Sequence, residues 1–207
     1  MPKRAISEES KEDRRNFILS CAEEIVKSNG LSGLSIQSVA KKSGFATGTI
    51  YLYFANKEDL IAHLTLDSRK ELLRIFEKSI VGEGLAMKQL SKVMEAFFHF
   101  YETRPHYYEL VSFFEKNTGL EEPEELELMS RKINQLVADI LKKGKKQGHI
   151  RNDLDEMTFS FLLWGSSVGI LQLLEVKKSI IKRTLNTDSF DFFSKHIELV
   201  LHAIKVD

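Results

Sequence analysis

Acidic residues are missing from one long stretch of this 207-residue chain. Between Glu24 and Glu58 lie 33 residues without an Asp or Glu, where the chain's 30 acids would on average place about five. The gap still holds Lys27, Lys41, Lys42 and Lys57. A surface cleared of carboxylates is what a polyanion requires. Net charge names no partner, because 30 basic residues balance the 30 acidic ones.

Other shortages exclude whole classes. One cysteine, Cys21, rules out an internal disulfide framework. It sits among Phe17, Ile18, Ala22 and Ile25 at helical spacing and reads as a buried thiol. Three prolines and 11 glycines leave little material for linkers. No apolar core follows the first basic residues, so no signal peptide is expected. The longest apolar run, residues 159–174, is interrupted by Ser160, Gly165, Ser166, Ser167, Gly169 and Gln172. It falls short of the roughly 20 predominantly apolar residues of a membrane span. A soluble, cytoplasmic protein without membrane contact is the expectation. The histidines (63, 99, 106, 149, 196 and 202) show no HxxxH or HExxH spacing. No Ser–His–Asp arrangement and no glycine loop leading to GK[ST] can be read, so metal, cofactor and enzymatic activity are not expected.

What is present is helix. Helix formers dominate and alternating β-branched runs are absent, which predicts an all-α fold of about nine helices. Residues 1–10 are polar, with Lys3 and Arg4 free to lie along a nucleic-acid backbone. The first helix runs over about 11–28 and stops at Asn29–Gly30. Ser35 is the N-cap of the second, with Leu34 and Val39 as a hydrophobic staple. Gly44 ends it in a left-handed turn.

The chain is organised around the next stretch, residues 44–60, GFATGTIYLYFANKEDL. Thr47 is the expected N-cap of a third helix to Phe54, in which Ile50 and Phe54 share one face. Gly48, Thr49, Leu52 and Tyr53 form the other. Asn56 caps a fourth helix, with Glu58 and Asp59 in its first turn. Lys57 stands in that turn against the helix dipole, a cost of about 0.3–1 kcal/mol that a phosphate would offset. Two short helices joined by a turn containing glycine are a helix-turn-helix, whose second member enters the major groove.

Residues 11–62 resemble the N-terminal domain of the TetR family of bacterial transcriptional regulators. The resemblance is carried by Ile18, Ala22, Gly30, Ser35, Val39, Ala40 and Gly44, and most by Gly48–Thr49–Ile50–Tyr51, Tyr53–Phe54, Lys57–Glu58 and Leu60. Tyr53 stands where many members carry histidine; both side chains can donate to a phosphate. The resemblance implies base contacts from Gln37, Thr47, Gly48 and Leu52, and backbone contacts from Ser35, Thr49, Tyr51, Tyr53 and Lys57. The chemistry agrees, since Gln can pair with adenine, Leu can touch a thymine methyl, and hydroxyls and lysine hold phosphates. Capping alone explains Ser35 and Thr47 equally, and packing on the head's own core is an alternative for Tyr51.

Division into a DNA-binding domain, 1–56, and a second helical domain, 57–207, follows. The fourth helix, about 57–80, is expected to link them. Helices over about 85–103, 105–117, 123–147, 156–178 and 188–206 complete the chain, with breaks at Gly119 and Pro123 and a turn and cap at 148–155. Eight of the chain's Phe and Tyr residues fall between 97 and 114. They are either ordinary core or the wall of a pocket for a hydrophobic effector. The pocket candidates are Met94, Phe97, Phe98, Tyr101, Tyr107, Phe113, Met129, Phe161 and Trp164, with Arg104, His99 and His106 available to a polar head group. The helix over 156–178 is apolar nearly all round and should be buried on every side. A second copy would cover it, which predicts a twofold dimer through Gly165, Val168, Leu171, Ile197, Val200, Leu201 and Ile204. The family resemblance implies the same, and with it a palindromic operator on double-stranded DNA. The function expected is a dimeric repressor released by a small hydrophobic effector. The alternatives are a hydrophobic-ligand carrier with a vestigial head, or a DNA-binding regulator without an effector.

Overall fold

Helix formers run almost unbroken between the glycines and prolines, and the computed structural model, which describes residues 8–117 and 122–206, is helical throughout. The helices are α1 (Glu8–Asn29), α2 (Ile36–Ser43), α3 (Thr47–Tyr51), α4 (Lys57–Ser79), α5 (Ala86–Thr103), α6 (Pro105–Val111), α7 (Phe113–Lys116), α8 (Glu124–Lys146), α9 (Glu156–Leu185) and α10 (Ser189–Ile204). A 3₁₀ turn, Leu31–Gly33, joins α1 to α2. The tenth helix arises because the segment expected as one helix over 105–117 breaks at Ser112. Lys3, Arg4 and the break at Gly119 lie outside the described residues.

Two compact units emerge, Met1–Arg69 with His106–Leu126, and Lys70–Pro105 with Glu127–Asp207. A boundary after residue 56 is therefore not where packing divides the chain. Leu110, Phe114 and Leu126 join Ile18, Val39, Ile50, Phe54 and Leu60 in the core of the first unit, although the sequence brings them in late. Polar contacts bind the same pieces. Thr65 donates to the Leu110 carbonyl at 3.1 Å, and Tyr107 donates to Glu23 at 2.6 Å. Arg69, only 4% exposed, donates to the Leu126 carbonyl at 3.1 Å and pairs with Glu122 at 2.5 Å. A buried guanidinium without that carboxylate would be strongly destabilising.

The second unit is built from the C-terminal half of α4, α5, most of α8, α9 and α10. Phe98 is sealed at its centre, with its ring centroid 5.3 Å from those of both Phe190 and Phe193. Ile150 fills the space that a side chain at Gly144 would need, so a glycine there lets Ile150 pack against the last turns of α8. Gln147 then clamps the turn before α5, accepting from Ala86 N at 3.0 Å and donating to the Gly84 carbonyl at 2.8 Å. Asp155 caps α9 through Thr158 N, and Asp188 caps α10 through Asp191 N. No glycine or proline lies between Ile170 and Leu185, and α9 continues past the expected Lys178 to a left-handed Asn186. At 30 residues, α9 is the one helix among those described long and apolar enough to cross a membrane by length and composition. Within one subunit its burial is one-sided, with the remainder left to a second copy on the expectation above: Leu163, Val168, Leu171 and Leu174 are buried while Leu162, Leu173 and Val176 are exposed.

Candidate nucleic-acid interface and internal cavity

Local chemistry fixes the head's geometry. The Ser35 hydroxyl accepts from Ser38 N at 3.0 Å, and the Ser38 hydroxyl accepts from Ser35 N at 2.9 Å, a reciprocal capping box that starts α2. Leu34 and Val39 are both buried, as a staple requires. Gly44 ends α2 with φ 73°, where any other residue would be strained. The expected cap at Thr47 is a residue late: Ala46 is extended and its carbonyl accepts from Thr49 N at 2.8 Å, so Thr47 already belongs to the first turn. Asn56 caps α4 as expected, accepting from Asp59 N at 2.7 Å.

Ile50 and Phe54 are fully buried beneath α3. Leu52 is 82% exposed and Tyr51 52%, while Gln37 and Gly48 are open to solvent. Ser35, Thr47, Thr49, Tyr53 and Lys57 are half-buried. Tyr53 packs against the head's core, and Tyr51 does not. A side chain at Gly48 would meet nothing within 4 Å, so the chain's own packing does not demand a glycine there. Lys57 donates to the Leu31 carbonyl at 3.3 Å, tying α4 to the 3₁₀ turn. The gap in acids along the sequence closes partly in space. Glu24 lies 2.7 Å from Lys42, and Glu109 accepts from Leu31 N at 3.4 Å.

In the second unit, α5, α8 and α9 line a partly open cavity of about 30 Å³ with Phe76 of α4. That is room for a water or two, well below the roughly 300–1,000 Å³ of a ligand pocket. Met94, Phe97 and Trp164 line it, with Val93, Ile133, Asn134, Val137, Ser160, Leu163 and Ser167. The other pocket candidates lie elsewhere. Phe98 is core, fully buried against Phe190 and Phe193 of α10. Tyr107 and Phe113 pack on the first unit. Phe161 is 57% exposed on the outer side of α9, and Tyr101 and Met129 are half-buried away from the cavity. None of the three head-group candidates lines it either: His99 stacks on Phe190, Arg104 pairs with Glu71 at 3.6 Å, and His106 belongs to the first unit. Sequence reading missed Asn134, Ser160 and Ser167. The available signal was a polar residue, Asn134, set between Ile133 and Leu136–Val137 in the apolar stripe of α8.

The cavity's polar atoms are partnered. Ser160 donates to Asn134 Oδ1 at 3.1 Å, and Asn134 Nδ2 donates to the Ser130 carbonyl at 3.0 Å. The Ser167 hydroxyl lies 3.2 Å from His196 Nε2, and that of Ser166 3.4 Å. Burial pushes the His196 imidazole below its usual pKa, because the charged form loses hydration.

The face expected to pair with a second copy also needs correction. Val168, Leu171, Ile197 and Ile204 are buried inside the subunit, and Val200 and Leu201 half-buried; of the seven residues named, only Gly165 is exposed. The exposed side of α9 instead carries Leu162, Ser166, Gly169, Leu173, Val176 and Ile180, at alternating spacings of four and three. Leu199 and Val206 lie exposed in and just beyond α10. A shift of one residue turns a helix by about 100°, enough to move the chosen row, such as Val168, off the exposed row that Gly169 occupies, and a helix apolar nearly all round gives periodicity little to choose by.

Residues 18–64 match the family described as bacterial regulatory proteins, tetR family, and residues 87–192 match the tetracyclin repressor-like C-terminal domain. The fatty acid metabolism regulator protein of Bacillus subtilis is 27% identical over 150 residues, covering 72% of this chain and 77% of that one. The crystal structure of the transcriptional regulator FadR from Bacillus subtilis in complex with stearoyl-CoA superposes with TM-score 0.72 at 22% identity, over 91% of this chain and 98% of that one. A protein of unknown function from Rhodococcus sp. RHA1 superposes with TM-score 0.76 at 14% identity, over 93% and 95% of the two chains.

Proposed function

The chain belongs to the TetR family of bacterial transcriptional regulators, and from that premise we propose that it is a dimeric repressor whose hold on a palindromic operator is set by a small hydrophobic effector. The observation that carries the reading is the head's outer surface. Gln37, Gly48, Tyr51 and Leu52 stand in solvent above the sealed Ile50 and Phe54, and nothing in the fold asks for a glycine at 48 or a leucine at 52. Such a surface suits a major groove, with Gln37, Thr47, Gly48 and Leu52 against the bases and Ser35, Thr49, Tyr51, Tyr53 and Lys57 around the phosphates.

The apolar row on α9 has the spacing of a helix–helix seam, with Ser166 and Gly169 letting two backbones approach closely. We read it as the twofold interface and not as a membrane span; its C-terminal part carries Lys177, Lys178, Lys182 and Arg183. Work on cytoplasmic DNA, with no catalysis, follows from the same reading. Support for a hydrophobic effector comes from the names of the Bacillus subtilis relatives and from the apolar lining of the cavity, which has to widen to admit one. Because α4 contributes to both units, a change in the second has a continuous helix along which to reach the first.

Gel shift with DNA from upstream of the protein's own gene tests the reading: a carrier would retard nothing. Gln37→Ala should relax base preference at one position of each half-site. Lys57→Ala should weaken all sequences alike and lower the salt slope by about one. An unchanged selected operator for Gln37→Ala would remove that residue from the readout.

A further inference from the structure

Besides the Trp164 indole, the polar side chains lining the cavity between α5, α8 and α9 are three uncharged ones, Asn134, Ser160 and Ser167. No lysine, arginine or histidine lines it. Lys132 and Lys143, on the same α8, line an open groove on another side of that helix, where Gln89 holds Lys143 at 3.1 Å. We propose that this cavity takes an apolar chain bearing one uncharged carbonyl, such as an ester, thioester, amide or ketone, and rejects the free carboxylate of the same chain. The inference rests on the effector reading above and narrows it.

A carboxylate taken into this wall would lose its hydration and find no cation to replace it. A neutral carbonyl needs only one donor. Asn134 can supply it. The Ser160 hydroxyl engages its oxygen and the Ser130 carbonyl takes one of its amide hydrogens, which together fix the amide's orientation. A carboxamide carries a second hydrogen, and that one remains for a guest. The serines are poorer donors here: Ser160 is already shared between Asn134 and the Met157 carbonyl at 2.8 Å, and Ser167 is held by His196. The present void of about 30 Å³ matches a carbonyl group and not a tail. The tail would displace Met94, unbranched and adaptable, and Trp164, half-buried and packed on Phe97 at 4.9 Å.

Trp164 is the chain's single tryptophan, so its fluorescence reports on this wall alone. The full-length protein is titrated with methyl dodecanoate, dodecanamide and dodecanoate at a pH where the acid is ionised. The ester and the amide should change the emission saturably, at concentrations about tenfold or more below those needed for dodecanoate. Asn134→Leu, of similar volume, should abolish that preference by weakening the ester about tenfold. Should that variant fail to fold, Ser160→Ala, which releases the Asn134 amide, should weaken the ester in the same direction. Dodecanoate binding as tightly as the ester, or an ester indifferent to both variants, overturns the inference and leaves the effector reading standing. No response of Trp164 to any of the three compounds overturns both, since the cavity then admits no chain.

Discussion

The two units present different things to solvent. The first hides Ile50 and Phe54 under a helix of five residues and shows glycine, glutamine and two isolated large side chains. The second hides Phe98 against α10 and Leu171 on the inner side of a helix of 30 residues, and still leaves Leu162 63% and Val176 74% exposed in one row of that helix. Scattered apolar exposure is ordinary for a finished surface; a contiguous row is not. The head is thus complete as a single copy and meets a polar partner. The second unit is half of something.

That contrast breaks most easily at its aromatic residues. Phe98→Ala should cost about 3–5 kcal/mol of unfolding free energy in urea, the range for an emptied aromatic site in a core. Phe161→Ala, three residues before Trp164 but on the outer side, should stay within about 0.5 kcal/mol. A loss at Phe161 as large as that at Phe98 would mean that Phe161 faces inward from α9. Next in size is Val176→Glu. A carboxylate in the exposed row should leave monomers in sedimentation and weaken operator binding about a hundredfold or more, because two linked heads bind far more tightly than one. A persistent dimer would move the interface elsewhere.

The smallest effect is a pH dependence confined to the second unit. His196, facing the Ser166 and Ser167 hydroxyls and the Phe193 ring, has its folded pKa depressed below 6.5 by burial. Between those two values the unfolded chain binds more protons than the folded one. The contribution of His196 is therefore intact above about pH 6.5 and is lost as pH falls toward the folded pKa. Melting temperatures of the wild type and His196→Gln should converge as pH drops through that window. Parallel profiles would show that the imidazole is hydrated after all.

Much of the head was legible before any coordinates. Ser35, Leu34, Val39, Gly44 and Asn56 act as their chemistry says, because caps, staples and left-handed turns are made by neighbours in sequence. The contribution of Leu110, Phe114 and Leu126 to the same core was not legible, since no local pattern says which distant helix an apolar stripe will meet. The second unit shows the same limit at finer grain. Its helices were placed almost correctly. Which side of α9 faces inward depends on contacts with α5 and α10, and a helix with apolar residues all round carries no phase for periodicity to find. Of the aromatic run at 97–114, Phe97 lines the cavity, while Phe98 is core and Tyr107 and Phe113 pack on the core of the first unit.

The bond from Lys57 to the Leu31 carbonyl has a consequence for timing. An ammonium carries three hydrogens, so one can stay on the carbonyl while others turn toward an arriving anion. A free lysine at a surface explores many rotamers and must surrender that freedom on contact. Here the freezing happens when the polypeptide folds. On the proposed reading of Lys57 as a phosphate contact, that cation is already parked, and encounter with the double helix needs less ordering than the length of the side chain would suggest.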